Sequence, residues 1–292
     1  MYDDILVPTD GQPGTDEAVA RGLHLARTFD ATVHALFVLD AQFDSSLADD
    51  DRETVREQLN SQGRAATAEV SEWGDDLDVD VVTAVREGAP AETICEYVTE
   101  HGCELVVMGA QARDTDDRHI GTTTQSVLVE SPAPVVVVPQ GNGGLPEPGY
   151  GAFDQVVVPT DGSSAAENAA THGLTVAERY GADVRVVYVV DTSTHELADT
   201  SRSILGPLRE GGRNAVEDIA EETRNRNLPV TTAMLEGSPA EELLGYAEGT
   251  GADLVAMGTH GSGATRQGLL GSTASRVLRR SAVPVLTLNE HR

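Results

Sequence analysis

Lysine is absent from this sequence, and aromatic residues are scarce. All 20 basic residues of the 292-residue chain are arginines. The chain therefore has neither the lysine of a Walker-type phosphate loop nor one that forms a Schiff base, and both chemistries are excluded. Aromatic residues make up only 4% of the sequence, so we expect hydrophobic cores of valine, leucine, isoleucine and alanine.

Cysteine is almost absent, and no apolar run approaches the length needed to span a bilayer. Acidic Asp3 and Asp4 follow the first residues, which excludes the basic start of a secretory signal. We therefore expect a soluble cytoplasmic protein with no membrane partner. In that compartment Cys95 and Cys103 are expected as buried thiols rather than a disulfide, with a redox pair as the alternative.

Negative charge dominates the composition, with a formal net charge of −28 and an isoelectric point near 4.4. Such a field opposes nucleic acid and anionic lipid, and it repels free ATP unless counter-ions screen it. At molar salt the screening length falls to about 3 Å, and a carboxylate-rich surface stays soluble. The composition is therefore typical of a halophile, whose cytoplasm is rich in salt.

The chain contains a tandem duplication. Residues 4–11 (DILVPTDG) recur as 154–162 (DQVVVPTDG), and the runs 33–40 and 184–191 continue the match. Glycine and proline are concentrated between the copies, as in a linker. We therefore predict a first domain at 1–140, a linker at 141–152 and a second domain at 153–292.

Each copy alternates short aliphatic runs with segments of helical period, which predicts a parallel sheet built from βαβ units. Helices are expected over Asp16–Phe29, Asp50–Trp73, Ala165–Tyr180 and Ile204–Asn227. Each copy should hold five strands and four helices. The fold class is therefore α/β.

One helix start in the second copy carries a capping box. Ser238 is the expected N-cap, Pro239 follows at the first helical position, and Glu241 is placed to reach back to the cap. The first copy has Ala89 in place of the serine, a loss typically worth about 1 kcal/mol.

A glycine-rich stretch near the end of the second copy has the form of a phosphate-binding loop. A short apolar run ends at Met257, glycines follow from Gly258 to Gly271, and a helix begins at Ser272. Glycines let backbone N–H groups approach an anion, and a helix N-terminus adds donors and a positive dipole end. A plain tight turn is the alternative.

The spacing of these glycines resembles the nucleotide signature of the universal stress protein family, Gly-x2-Gly-x9-Gly-(Ser/Thr), at Gly258, Gly261 and Gly271-Ser272. The resemblance implies two doubly wound five-stranded parallel sheets of strand order 3-2-1-4-5. It also implies that the copies pair through their fifth strands, Val135–Val138 and Val285–Leu288, across a pseudo-two-fold axis. Further homodimerisation is compatible with it.

The resemblance also implies that the second copy binds ATP, with or without Mg²⁺. Asp161 would contact the adenosine, the backbone of Val189 would read adenine, and Met257 would press on the base or ribose. The cofactor-binding residues expected in this copy are Pro159, Thr160, Asp161, Val189, Met257, Gly258, Gly261, Arg266, Gly271, Ser272 and Thr273.

Several of these residues also have plain structural interpretations. Asp161 has the sequence context of an Asx-turn or helix cap, and Val189 that of a core strand residue. Arg266 either pairs with a terminal phosphate or is a solvated loop residue. His260 either titrates near a phosphate or is incidental.

The first copy departs from the signature. Ala112 replaces the second glycine, the next interval is eight residues instead of nine, and the loop carries Asp114, Asp116 and Asp117. Carboxylates beside a triphosphate raise its energy, although a divalent metal would invert that effect. We expect a degenerate or altered site, with ordinary ATP binding as the alternative. Its counterpart residues are Asp10, Val38, Met108, Gly109, Gly121 and Thr122.

Three functions follow from this sequence. The first is a non-enzymatic regulatory or sensing module of a stress response that binds an adenine nucleotide. The second is a slow ATP hydrolase or a phosphoryl or adenylyl transferase, although residues 258–271 contain no Asp or Glu to serve as base or metal ligand. The third is a protein-interaction scaffold that needs no nucleotide.

Overall fold

The computed structural model divides the chain into two compact units, Met1–Gly151 and Ala152–Arg292. It describes residues 2–40, 49–110, 120–140, 152–193, 202–261 and 270–289. Arg266, Ala112, Asp114, Asp116, Asp117 and nearly all of the expected linker lie outside the described residues.

The N-terminal unit is a parallel sheet covered by helices on both faces. Its strand order is β3-β2-β1-β4-β5. Helices α1 and α2 pack against one face, and α3 and α4 against the other. Its described elements are β1 (Asp4–Pro8), α1 (Asp16–Phe29), β2 (Thr32–Asp40), α2 (Asp49–Leu77), β3 (Val81–Gly88), α3 (Pro90–His101), β4 (Leu105–Gly109), α4 (Thr122–Glu130) and β5 (Val135–Val138).

The C-terminal unit repeats this architecture with strand order β8-β7-β6-β9-β10, again all parallel. Both units therefore confirm the predicted α/β fold and the order 3-2-1-4-5. Its described elements are β6 (Gln155–Pro159), α5 (Ser164–Tyr180), β7 (Asp183–Asp191), α6 (Arg202–Asn225), β8 (Val230–Gly237), α7 (Pro239–Thr250), β9 (Leu254–Gly258), α8 (Ser272–Arg280) and β10 (Val285–Leu288).

Each sheet has a topological switch point, where the chain connections of two neighbouring strands lead in opposite directions across the sheet. In the first unit these are β1 and β4, and in the second they are β6 and β9. A crevice forms at the carboxyl ends of strands at such a switch point, and ligands of open α/β sheets bind there.

Glycines bring the first helix of each unit close to its sheet. A Cβ on Gly22 would lie 2.5 Å from Val7 Cγ2, and one on Gly173 would lie 2.5 Å from the Cβ of Ala256. Both glycines are mid-helix, where they disfavour the helix by roughly 1 kcal/mol relative to alanine. Close packing of α1 and α5 on their sheets offsets that penalty.

The cores are mainly aliphatic, as the composition predicts, with fully buried residues such as Leu6, Leu36 and Leu254. The few aromatic side chains occupy repeated positions. Tyr2 meets Phe29 edge to face at 5.0 Å, and Phe153 meets Tyr180 in the same way at 5.1 Å. The duplication therefore extends to side-chain packing.

The predicted capping box is wrong in its hydrogen bonds. Ser238 is the N-cap of α7 and Pro239 follows it, but the serine side chain makes no capping hydrogen bond. Glu241 instead accepts a hydrogen bond from Arg280 at the end of α8. The expected gain in helix stability over Ala89 is therefore missing, because the Ser238 side chain does not cap the helix. Glu241 forms an ion pair with another helix instead.

Both cysteines are free thiols, with Cys103 buried and Cys95 half-buried. Burial raises the pKa of Cys95 to about 11 and that of Cys103 to about 12, with nearby acids adding to both. A redox pair would require an accessible thiolate. The expectation of a buried thiol is confirmed for Cys103, whereas Cys95 is only half-buried. Across the described ranges, no helix combines the length and apolar character needed to cross a membrane.

Candidate functional site

A cavity of about 460 Å³ opens at the carboxyl ends of β6 and β9. That volume lies within the range of small-molecule sites. Ten of the eleven residues expected at the site line it, and the eleventh, Arg266, is outside the described residues. The lining consists of Pro159, Thr160, Asp161, Ala166, Val187, Val189, Asp191, Leu243, Met257, Gly258, Thr259, His260, Gly261, Gly271, Ser272, Thr273 and Ala274.

Asp161 forms an Asx-turn after β6. Its Oδ1 accepts hydrogen bonds from the backbone N of Ser163 at 3.0 Å and from Ser163 Oγ at 2.6 Å. Gly162 has φ +76°, a conformation that glycine adopts without strain and that the turn needs. Ser163 in turn caps α5 by accepting from Ala166 N at 3.2 Å. The structural interpretation of Asp161 is therefore correct, and contact with a ligand stays a prediction.

Neighbouring protein atoms leave no room for a side chain at any of the three signature glycines. A Cβ on Gly258 would lie 3.0 Å from the backbone of Ala165 in α5, and one on Gly261 would lie 2.5 Å from Asp161 Oδ2. A Cβ on Gly271 would lie 3.0 Å from the carbonyl oxygen of Thr259. These glycines shape the cavity wall, whereas sequence reasoning explained them by the space that a phosphate needs.

The N–H of Gly271 donates to the carbonyl of Thr259 at 2.8 Å. The N–H of Gly271 is therefore engaged within the fold. The next three N–H groups, at Ser272, Thr273 and Ala274, are in the first turn of α8 and have no acceptor within that helix. They border the cavity at the positive end of the helix dipole.

Thr259 joins three elements around the cavity. Its side chain is fully buried, and its Oγ1 donates to the carbonyl of Leu288 at the end of β10 at 3.1 Å. The same oxygen lies 3.0 Å from His260 Nδ1 and accepts from it when that nitrogen carries the proton. His260 is therefore oriented by a buried hydroxyl, which weakens the interpretation of this residue as incidental.

Sequence reasoning missed Asp191, which lies at the end of β7 and lines the cavity. Its Oδ1 accepts from Ser193 N at 2.9 Å and from Ser193 Oγ at 2.6 Å. The signal was present, because an aspartate ends the second strand of both copies, at Asp40 and Asp191.

The charge of Asp161 acts on Tyr188 in the neighbouring strand β7. Burial raises the pKa of the Tyr188 phenol, and the charge of Asp161 raises it further. Asp161 and Asp191 are both on the wall, and the start of α8 presents N–H donors to the same cavity. The cavity thus offers both carboxylates and backbone N–H donors to a ligand.

The N-terminal unit has a smaller cavity, of about 310 Å³, at the carboxyl ends of β1 and β4. All six residues expected in the first copy line it. The lining consists of Pro8, Thr9, Asp10, Thr15, Leu36, Val38, Pro90, Ile94, Met108, Gly109, Gly121, Thr122, Thr123 and Thr124.

The described residues include no group of three or more histidine, cysteine, aspartate or glutamate side chains arranged to hold a metal ion. Magnesium commonly binds through one or two carboxylates together with substrate phosphates. The C-terminal cavity has two carboxylates on its wall, Asp161 and Asp191.

Comparison with known proteins identifies related chains. The profile of the universal stress protein family matches residues 1–139 and 152–289. A universal stress protein of Methanocaldococcus jannaschii is 35% identical over 145 residues, which are 49% of this chain and 85% of the relative. One from Mycolicibacterium smegmatis is 26% identical over 97% of this chain and 96% of its own. A universal stress protein structure from Archaeoglobus fulgidus shares the fold, with a TM-score of 0.75, 21% identity and 99% coverage of both chains.

Proposed function

The chain belongs to the universal stress protein family, and we propose that it binds ATP in the cavity of its C-terminal unit as a regulatory or sensing module. The observation that carries the proposal is the convergence of four separate segments. Residues 159–161, 189, 257, 258, 261 and 271–273 were expected at a nucleotide site, and they line one cavity of about 460 Å³.

The cavity wall supports a specific orientation of the nucleotide. Anions bind at helix N-termini, so the phosphates lie at Ser272 and Thr273. Hydrogen bonds between these N–H groups and a charged phosphate contribute about 1.5–3 kcal/mol each. The base then lies at the opposite end, against the half-buried Val189 and the buried side chains of Met257 and Leu243.

The carboxylates of Asp161 and Asp191 are available to the ribose hydroxyls between those two ends. A carboxylate that ends a strand of an α/β sheet is a common partner of ribose in dinucleotide-binding folds. Where Mg²⁺ accompanies ATP, its ligands would be mainly the phosphates and water, because these two carboxylates lie toward the ribose.

The site favours binding over turnover. Phosphoryl transfer needs a positioned base or a water-orienting group near the terminal phosphate. The sequence from Gly258 to Gly271 contains no Asp or Glu that could serve as such a group. Asp161 and Asp191 each use their Oδ1 atom to accept two hydrogen bonds within a turn.

The test is the nucleotide that the full chain retains after purification at high salt. Denaturation should release one equivalent of ATP, identified by ultraviolet absorbance and mass, and isothermal titration of the emptied protein should restore it. Release of phosphate during incubation would favour a hydrolase. Absence of retained nucleotide together with a flat titration would favour a nucleotide-independent scaffold and contradict the proposal.

A further inference from the structure

We propose that the cavity of the N-terminal unit is a second ligand site, for an adenine nucleoside that carries at most one phosphate. The chain then binds two different adenine ligands, one in each unit. This inference rests on the proposed function, because the C-terminal cavity serves as the reference for where base and phosphates lie.

The two cavities share the walls that would hold the nucleoside. Counterpart positions, fixed by the tandem repeat, carry the same residue type along the first, second and fourth strands of each unit and at the helix cap. The identical pairs are Pro8 and Pro159, Thr9 and Thr160, Asp10 and Asp161, Val38 and Val189, Met108 and Met257, Gly109 and Gly258, and Gly121 and Gly271.

The turn that carries the aspartate is also shared. Asp10 Oδ1 accepts from Gln12 N at 3.0 Å, as Asp161 Oδ1 does from Ser163 N. In both units the next glycine has a positive φ, at +68° for Gly11 and +76° for Gly162. The polar group available to a ribose is therefore held in the same way in both units.

The differences make the N-terminal cavity narrower. Thr15 replaces Ala166, Thr124 replaces Ala274, and Leu36 replaces Val187. Each replacement is larger than its counterpart, in agreement with a cavity of about 310 Å³ against about 460 Å³.

Thr124 lies beside Gly109, at the phosphate end. Thr124 Oγ1 donates to the carbonyl of Gly109 at 2.9 Å. A Cβ on Gly109 would lie 3.3 Å from the carbonyl oxygen of Gly14, the residue before Thr15. Thr15 is itself held by Thr9, at 3.1 Å between the two Oγ1 atoms. The added bulk of Thr124 is thus fixed where a phosphate chain would extend, and that of Thr15 is fixed at the turn of Thr9 and Asp10.

A single phosphate still has donors in this unit. Gly121 N donates to the carbonyl of Ala110 at 2.9 Å, as Gly271 N does to Thr259, and leaves the first-turn N–H groups of Thr122 and Thr123 at the cavity.

The first experiment isolates each cavity in the full chain. Val189→Phe fills the C-terminal cavity and Val38→Phe fills the N-terminal one, with Gly261→Asp as a second way to close the C-terminal site. Emptied protein is titrated calorimetrically at high salt with adenosine, AMP and ATP. The Val189→Phe chain should bind one equivalent of adenosine or AMP at least about tenfold more tightly than ATP, and Val38→Phe/Val189→Phe should bind none.

The second experiment exchanges the determinants of size. Ala166→Thr/Ala274→Thr, in the Val38→Phe background, should weaken ATP binding at the C-terminal site by about tenfold or more and AMP binding much less, because the overpacking at position 274 falls at the phosphate end. The reciprocal pair Thr15→Ala/Thr124→Ala, in the Val189→Phe background, should bring the ATP affinity closer to that for AMP.

These outcomes separate the two proposals. Loss of ATP binding in the Val38→Phe chain, while that chain is folded, would overturn the proposed function. A different result would overturn only the second site. In that case the Val38→Phe chain binds ATP tightly, but neither the Val189→Phe chain nor the Gly261→Asp chain binds adenosine or AMP. An unchanged ratio of ATP to AMP affinity in both exchange variants would overturn the size mechanism and with it the stated preference.

Discussion

Substitution of Gly261 by alanine should weaken ATP binding through Asp161 rather than through the phosphates. The new Cβ would lie 2.5 Å from Asp161 Oδ2, about 1 Å inside ordinary van der Waals distance. The carboxylate cannot turn away freely, because its Oδ1 accepts from Ser163 N at 3.0 Å and from Ser163 Oγ at 2.6 Å. Either the turn breaks or the loop at Gly261 shifts.

Overpacking of this kind typically costs about 1–3 kcal/mol, which corresponds to a rise of about 5- to 150-fold in Kd if the strain falls on the bound state. Gly261→Asp should be worse, because it adds a second negative charge beside Asp161 and the phosphates. The assay is isothermal titration with ATP at high salt, with Ala112→Asp in the other copy as the matched control that should change little.

A double-mutant cycle identifies the cause. If the Cβ acts by displacing Asp161, then Gly261→Ala should cost little in an Asp161→Ala background, and the two substitutions should be non-additive. An unchanged ATP affinity in Gly261→Ala would refute the reasoning. So would an equal loss with and without the Asp161 carboxylate, since the alanine would then obstruct the ligand directly.

Three further predictions concern stability. Gly212→Ala should lower the free energy of unfolding by about 1–3 kcal/mol in denaturant titration, because its Cβ would lie 2.6 Å from the Tyr188 ring. The control, Gly211→Ala, has no atom within 4 Å of its Cβ and should be neutral or stabilising. Equal effects of the two substitutions would contradict this explanation. Burial lowers the pKa of His172 below its ordinary value of 6.5, so the unfolded chain takes up a proton first and stability should fall as the pH drops below about 6.5. His172→Gln should flatten that decline, and an unchanged slope would exclude the histidine as its source. With a net charge of −28, the fold should loosen below roughly molar salt and recover when KCl is added, and circular dichroism that does not respond to salt would count against this.

The sequence predicted the elements well because their signals are local. Aliphatic runs and helical periodicity sufficed for α1, predicted and observed at Asp16–Phe29, and for α5, which begins one residue earlier than predicted. The longer helices were less well bounded, with α6 at Arg202–Asn225 against a predicted Ile204–Asn227. Strand order came from the family resemblance, since local periodicity carries no information on which strands are neighbours.

What escaped prediction depends on residues that are distant in the chain. Glu241 and Ser238 have the spacing of a capping box, but Arg280 is 39 residues away and its ion pair with Glu241 is formed only once α7 and α8 are packed. The link from Thr259 Oγ1 to the Leu288 carbonyl likewise depends on the pairing of β9 with β10. Sequence spacing alone could locate none of these partners.

The signature glycines show how one pattern can arise from two physical causes. Gly258, Gly261 and Gly271 abut Ala165, Asp161 and Thr259 respectively, so each is constrained by the protein before any ligand binds. A Gly-x2-Gly-x9-Gly spacing therefore reports a wall built from closely approaching backbone, and the capacity for an anion comes from the N–H groups that follow Gly271. The N-terminal unit supports this distinction, because it keeps the contact between Gly121 N and the Ala110 carbonyl although Ala112 breaks the signature. A cavity at the carboxyl ends of β1 and β4 is thus formed even where the signature is broken.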